Sequence, residues 1–446
     1  MASVPLLGHR SAADLVAVRA GIALSVENYL RDVTQLTELL PARQYVVNLC
    51  SDRYEFAVAL AAAMCRQQIC LLPPAQTPQL LLSLAQRYPG VYALCDGQVE
   101  VPLVCVSRPR AGAPSGGAVR ELTFPASQIA AVVFTSGSTG EPAPYPKTWG
   151  HLMLGATAEA QRFGLFASER ITLVGTVPAQ HMYGFESTVL MGLHNGHTLY
   201  AGRPFYPADV RSVLAEQPGE CVLVTTPVHL RALLAEERSL PPLRLIVCAT
   251  APLTPAMAAE AEARYGAPVH EVYGFTEAGM VATRRTTEGP AWHALPGVEL
   301  REDDGRVWVS GGHVPAPVTA TDVLELLDAR TFVLHGRNAD LINVAGKRTS
   351  LAYLDQQAIG IEGVRDAVFY MPDEREGVVT RVMAFVVAPG LSRADFLSAL
   401  RSRIDAAFLP RPLYLIDALP RNATGKIARE ALAELARQCA QASSAR

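Results

Sequence analysis

Residues 134–149 read FTSGSTGEPAPYPKTW: the apolar run Ala130–Phe134 passes straight into seven residues drawn from Ser, Thr, Gly and Glu, and three prolines then precede Lys147. A strand that ends in such a loop has the layout of an anion cradle. Gly137 and Gly140 let backbone N–H groups turn inward, and the hydroxyls of Thr135, Ser136, Ser138 and Thr139 add donors suited to phosphate oxygens. The plainer alternative is a solvated Ser/Gly connector, since short runs of this kind are common in loops. The Walker pattern is absent, because no Gly-Lys-Ser/Thr follows at the required spacing, and this disfavours a P-loop nucleotidase.

Upstream of the loop, YVVNLC (Tyr45–Cys50), an alanine-rich helical stretch with Ser51 as the expected N-cap, and ICLLPP (Ile69–Pro74) form a strand–helix–strand pattern. Downstream, short apolar runs at Ile171–Val174, Cys221–Thr225 and Leu243–Val247 alternate with periodic helical segments at Pro227–Glu236 and Pro255–Tyr265. The expected fold class is α/β, a large layered N-terminal domain with mostly parallel sheets. From Val298 the texture changes: Asp304-Gly305 between alternating runs predicts a hairpin. Strands near Ala367–Tyr370 and Val382–Val387 and helices at Arg393–Phe408 and Ile427–Gln441 then predict a small α+β C-terminal domain. The expected division is 1–336 and 337–446.

With 446 residues, half of them apolar and 18% charged, the chain has material for more than one core. Its net charge of −3 supplies no basic field of the kind nucleic-acid binding requires. No run approaches the roughly 20 apolar residues of a membrane span. The first residues lack the pattern of a secretory signal, and the eight cysteines lie mostly inside apolar runs without CxxC or metal-type spacing. The expected compartment is the cytoplasm, and the expected partners are small molecules rather than nucleic acid or membrane.

Three further stretches carry chemistry. In VYGFTEAGM (Val272–Met280), Tyr273 is an aromatic face for a base and Gly274 permits close backbone approach. Thr276 and Glu277 supply a hydroxyl for phosphate and a carboxylate of the kind Mg²⁺ shares with phosphate oxygens. In TATD (Thr319–Asp322) and HGRNADLINVAGKR (His335–Arg348), Asp322 accepts from hydroxyls and Arg337 offers a fork of donors. In PRNATGKIAR (Pro420–Arg429), Lys426 sits on a glycine-containing loop, a point charge able to meet developing negative charge. Each stretch alone also reads as a solvated turn.

Together, in this order, TSGSTG, YGFTE, a late Asp, GRxxDxIxxxGKR and PRxxTGK resemble the adenylate-forming superfamily, which includes acyl- and aryl-CoA synthetases, adenylation domains and luciferases. CATAPLTP (Cys248–Pro255) resembles that family's adenine-side loop. The resemblance runs from about Val46 to Arg429. It implies an ATP-dependent ligase in which a carboxylate attacks the α-phosphate, pyrophosphate leaves, and a thiol then displaces AMP. By matching positions it implies that Thr135, Ser136, Gly137, Ser138, Thr139 and Gly140 cradle phosphates. Ala249, Thr250, Tyr273 and Gly274 flank adenine, and Thr276 and Glu277 serve phosphate and Mg²⁺. Asp322 and Arg337 hold the ribose, and Lys426 is the catalytic lysine on a C-terminal domain that rotates between half-reactions.

Two departures stand out. The proline-rich insertion delays the loop lysine to Lys147, so either the loop is longer or Lys147 has a different job. The hinge position after Arg337 holds Ala339, with Asp340 following, so either Asp340 serves as the pivot or the rotation is altered. The segment PAQHMYGFESTVLMGLHNG resembles the family's acid pocket, with His181, Tyr183 and Phe185 at the carboxylate end. With the proline-rich loop it is similar to a subfamily of bacterial aryl-polyene and xanthomonadin-type pigment pathways. That resemblance implies a hydroxybenzoate-like acid handed to an acyl carrier protein. The alternative is a CoA ligase for medium-chain or β-hydroxy fatty acids.

Overall fold

The computed structural model describes residues 2–97, 100–108, 121–134, 143–165, 171–217, 219–337, 341–344, 347–372, 381–422, 425 and 427–444. Its centre is the alanine-rich helix Arg53–Cys65, buried on every side, as a helix apolar all round must be. Asp52 caps it, accepting from the Glu55 N–H at 3.0 Å. The expected cap, Ser51, lies one residue earlier and its hydroxyl instead donates to Asp96. The small side chains of Ala57, Ala59 and Ala61–Ala63 let two sheets close on the helix, so that one apolar cluster joins Val46, Cys70 and Val133 of one sheet to Leu173, Val222 and Leu245 of the other.

The first sheet runs in the order Pro144–Thr148, Ile129–Phe134, Ile69–Leu72, Tyr45–Asn48, Tyr92–Leu94, Cys105–Val106, parallel except for its first strand. The second has six parallel strands at its middle: Val269–Phe275, Leu243–Cys248, Glu220–Thr225, Ile171–Gly175, Thr198–Tyr200 and Leu15–Arg19. Antiparallel strands flank them, with Gly279–Arg285, Ala291–Ala294, Thr331–Arg337 and Asp322–Leu326 on one side. The predicted hairpin forms with Asp303 opposite Arg306, and both turn residues have positive φ (Asp304 50°, Gly305 67°), the mirror-image turn that matches strand twist.

The smaller α+β C-terminal domain has its own core, including Leu354, Phe369, Val386 and Phe396. Strand Met383–Val387 pairs antiparallel with Asp366–Tyr370 and parallel with Leu413–Leu415. The predicted helix Arg393–Phe408 is shorter than expected: it stops at Arg401, and a 3₁₀ turn covers Ala406–Phe408.

Candidate active site

In the second sheet the parallel strands point their carboxyl ends the same way, the edge at which open α/β sheets place ligands. At that edge Val269–Phe275 turns through Thr276, Glu277 and Ala278 into Gly279–Arg285. Gly274 is required there: a Cβ would lie 2.4 Å from the Gly279 carbonyl oxygen. The Tyr273 ring is held among Phe275, Trp292 and Phe332, and its hydroxyl donates to Asp322 Oδ2 at 2.8 Å. Asp322 also pairs in register with Arg337, so the tyrosine hydroxyl and the start of Thr331–Arg337's partner strand meet at this one carboxylate. The motif residues Tyr273, Asp322 and Arg337, far apart in sequence, thus converge.

The loop after Leu243–Cys248 begins at Ala249 and carries Thr250 at φ 82°, a conformation that costs a β-branched residue of order 1–3 kcal/mol. A buried carboxylate anchors this loop. Glu271 accepts from the Leu253 N–H at 3.0 Å, from Arg284 and from the Thr286 hydroxyl.

Lys147 arrives on a return strand. Pro144–Thr148 pairs antiparallel with Ile129–Phe134, Pro144 lying opposite Phe134 and Lys147 opposite Ala131. As an edge strand it tolerates prolines. Lys147 therefore sits three residues below the base of the glycine-rich loop, about 10 Å along a strand. Its amine is buried and donates to the Glu277 carbonyl at 2.8 Å. Burial pulls its pKa down, and the nearby carboxylates Glu186 and Glu277 pull it back. In this structure the hydrogen bond from Lys147 ties the Thr276–Ala278 turn to the first sheet. Beside it burial raises the Glu186 carboxyl to about 7, with Lys147 opposing.

The chain matches the AMP-binding enzyme family over residues 104–324 and the AMP-binding enzyme C-terminal domain over 354–426. It is 32% identical over 306 residues to a 4-coumarate–CoA ligase of Rhodobacter capsulatus, covering 67% of this chain and 75% of that protein. It is 23% identical to a 2-succinylbenzoate–CoA ligase of Staphylococcus epidermidis over 69% of this chain and 70% of the relative. The chain is an AMP-binding enzyme of the adenylate-forming superfamily. ATP-bound MatB from Rhodopseudomonas palustris shares its fold at a TM-score of 0.80 and 18% identity, over 95% of this chain and 96% of that one. So does the Bacillus subtilis O-succinylbenzoate coenzyme A synthetase in complex with AMP, at 0.78 and 19%, over 96% and 98%. This AMP-binding enzyme is an acid–thiol ligase that activates a carboxylic acid with ATP.

Within the enzyme, Thr135–Gly140, Ala339, Asp340 and Lys426 lie outside the described residues, as does the Arg337 side chain. Gly425, beside Lys426, is described: it has φ 80°, and its carbonyl accepts from Arg421 at 2.7 Å. A Cβ on Gly425 would meet Val228 at 3.1 Å, so Gly425 lies close against the start of helix Pro227–Leu234. His181 precedes the short helical turn Met182–Gly184 and is half-buried. Tyr183 and Phe185 are core residues here. The Tyr183 hydroxyl bridges the Thr225 and Val247 carbonyls at 3.1 and 2.9 Å, and Phe185 packs edge-on against Phe56.

Sequence reasoning missed Arg53, Glu159, Glu186, Ser187 and His313. Arg53 is fully buried, donates to Gly175, Val177, Tyr200 and Gly202 carbonyls and the Thr188 hydroxyl, and is pulled down by desolvation to about 10. A charged residue opening a helix that is apolar from Phe56 to Cys65 was the available signal.

Proposed function

We propose that the enzyme joins a hydroxybenzoate-like aryl acid to ATP and passes the acyl group to a thiol, the phosphopantetheine arm of an acyl carrier protein, with CoA as the competing acceptor. A carboxylate oxygen bonds to the α-phosphorus as the bond to pyrophosphate breaks. The thiol sulfur then bonds to the acyl carbon, AMP leaves, and the thiol proton is released. Names of relatives support an aromatic acid: 4-coumarate and 2-succinylbenzoate are substrates in those names.

The observation that carries the reading is the seat of Gly425. Helix Pro227–Leu234 follows strand Glu220–Thr225, whose carboxyl end lies on the same edge as the Thr276–Ala278 turn. Gly425, the residue before Lys426, is thereby seated at the edge that carries the Thr276–Ala278 turn. Attack of one anion on another needs positive charge at both, which Lys426 supplies. Thr135, Ser136, Gly137, Ser138, Thr139 and Gly140 then cradle the phosphates, Ala249, Thr250, Tyr273 and Gly274 face adenine, and Asp322 with Arg337 holds the ribose. Glu277 fits Mg²⁺: it is one carboxylate on a turn, and this ion commonly takes one or two carboxylates with phosphate oxygens and water. Bound Mg²⁺ would neutralise charge on the phosphates. Residues 337–446 pivot at Ala339 or Asp340 between the two half-reactions.

ATP–pyrophosphate exchange across 3- and 4-hydroxybenzoate, cinnamate and octanoate tests the acid, and transfer to CoA against carrier protein tests the acceptor. Exchange with alkanoates and no aryl acid would overturn the substrate reading. Lys426→Ala is expected to abolish adenylation while a preformed acyl-adenylate still reacts with thiol. Equal loss of both halves would remove Lys426 from its role.

A further inference from the structure

Beneath the Thr276–Ala278 turn lies a buried polar layer that the chemistry above does not use. A cavity of about 40 Å³ is lined by Lys147, His151, Met182, Glu186, Ala278 and His313. Its polar walls are deep: Lys147, Glu186 and His313 are 6%, 9% and 4% exposed. The Met280 backbone faces the His313 ring, and among the described residues at least one of its ring nitrogens is left without a hydrogen bond. In the same layer, Glu159 on helix Trp149–Phe163 has the Ser187 hydroxyl of the π-helical segment Phe185–Leu190 and the Glu186 carboxyl as neighbours, and among the described residues its Oε1 is left unpartnered. An unmet buried polar atom costs about 1–3 kcal/mol, so several in one place point to a group that completes them. Single π-helical turns often mark functional sites.

The size and chemistry narrow what that group is. About 40 Å³ holds a water or one hydroxyl, not a ring. Burial holds the His313 imidazole neutral, its pKa pushed down to about 4, so it offers one donor and one acceptor. The Lys147 ammonium repels a cation and the Glu186 carboxyl disfavours a second carboxylate, whereas a hydroxyl both donates and accepts. The cavity shares Ala278 with the turn carrying Thr276 and Glu277, and Met182 is the neighbour of His181.

We propose that this cavity receives a hydroxyl substituent of the acid substrate, with His313 and Glu186 as its hydrogen-bond partners and hence the specificity-determining residues. The proposal rests on the acid-activating reading above. A site built to hydrogen-bond a substrate hydroxyl discriminates against the analogue lacking it far more strongly than an apolar pocket discriminates by a methylene.

The test is exchange kinetics with 3-hydroxybenzoate, 4-hydroxybenzoate and benzoate. In wild type at least one hydroxy acid is expected to exceed benzoate in kcat/KM by about 10-fold or more. His313→Leu should collapse that ratio to near unity while benzoate turnover stays within about 2-fold. His313→Gln, which keeps a donor and an acceptor, should retain most of the ratio. A folding defect lowers turnover of every acid alike and leaves the ratio intact, so the ratio in both variants is the deciding quantity. An unchanged ratio in His313→Leu, or no preference for either hydroxy acid in wild type, overturns the proposal. Exchange with octanoate and none of the three aryl acids would instead remove the aryl-acid reading on which it rests.

Discussion

Two buried polar regions of the large domain are built to opposite rules. Around Arg53 and Glu271 every charge is answered: the guanidinium meets five acceptors, and the carboxylate meets a backbone N–H, an arginine and a hydroxyl. Around Glu159, Ser187 and His313, a layer equally deep leaves polar atoms unanswered among the described residues. A saturated network locks backbone in place, which is what strand ends and the loop after Leu243–Cys248 need. An unsaturated one holds its free energy open for an occupant. Substitutions in the first region should therefore act on folding, and substitutions in the second on recognition and pH response.

Arg53→Met is the severest way to break that contrast. It leaves four carbonyls and the Thr188 hydroxyl without their donor, and each unmet buried group costs about 1–3 kcal/mol. The loss should total on the order of 3 kcal/mol or more, read as a shift of the urea midpoint. A midpoint close to wild type would mean that water replaces the guanidinium and that the hub is not structural. Lys147→Met comes next, because Lys147 bridges the two regimes: its amine holds the Glu277 carbonyl, and its charge opposes the neutralisation of Glu186. Loss of one buried charged hydrogen bond should destabilise by about 1.5–3 kcal/mol and lower exchange rates through the displaced turn. Stability loss with unchanged exchange would show that the clamp does not position the turn.

Much of this was legible in the sequence, and the reasons differ by residue. The parallel strands announced themselves as apolar runs between turn signals, and helix Pro255–Tyr265 and the Asp304-Gly305 turn sit where local chemistry put them. Tyr273, Asp322 and Arg337, named from motif order, are joined in the fold by the Tyr273–Asp322 hydrogen bond and the Asp322–Arg337 strand pairing. Tyr183 was named as a pocket residue and is a core staple, since a tyrosine in an apolar helix looks the same whether its hydroxyl meets substrate or two carbonyls. Glu159, Glu186 and His313 were illegible for a different reason. They lie on a helix, a π-helical segment and a loop after Arg306–Gly311, and only tertiary packing brings them into one layer.

Tyr273→Phe sharpens the comparison at a smaller scale. It removes the 2.8 Å hydrogen bond to Asp322 but keeps the ring packed among Phe275, Trp292 and Phe332. The cost should be about 1 kcal/mol. A several-fold rise in the KM for ATP with little change in melting temperature would place the hydroxyl's role in orienting Asp322. A stability loss with unchanged KM would put Asp322 away from the nucleotide.

The gentlest probe is Glu159→Gln, whose effect is visible only through pH. Burial raises the Glu159 carboxyl to about 8 from its ordinary 4.5; the Ser187 hydroxyl opposes that shift, and neighbouring Glu186 adds to it. Between those two values the native state keeps a proton that the unfolded chain gives up, so stability falls as pH rises across that window and levels off above it. Glu186, raised to about 7 with Lys147 as its counter-charge, pulls the same way over the lower part of the window. Glutamine resembles the protonated carboxyl in shape and cannot ionise. The variant should therefore melt close to wild type at about pH 5 and above it at about pH 8, with a visibly flatter dependence in between. Parallel melting curves for the two proteins across that range would show that Glu159 is ionised in the fold, and that the unsaturated layer contains a partner for it.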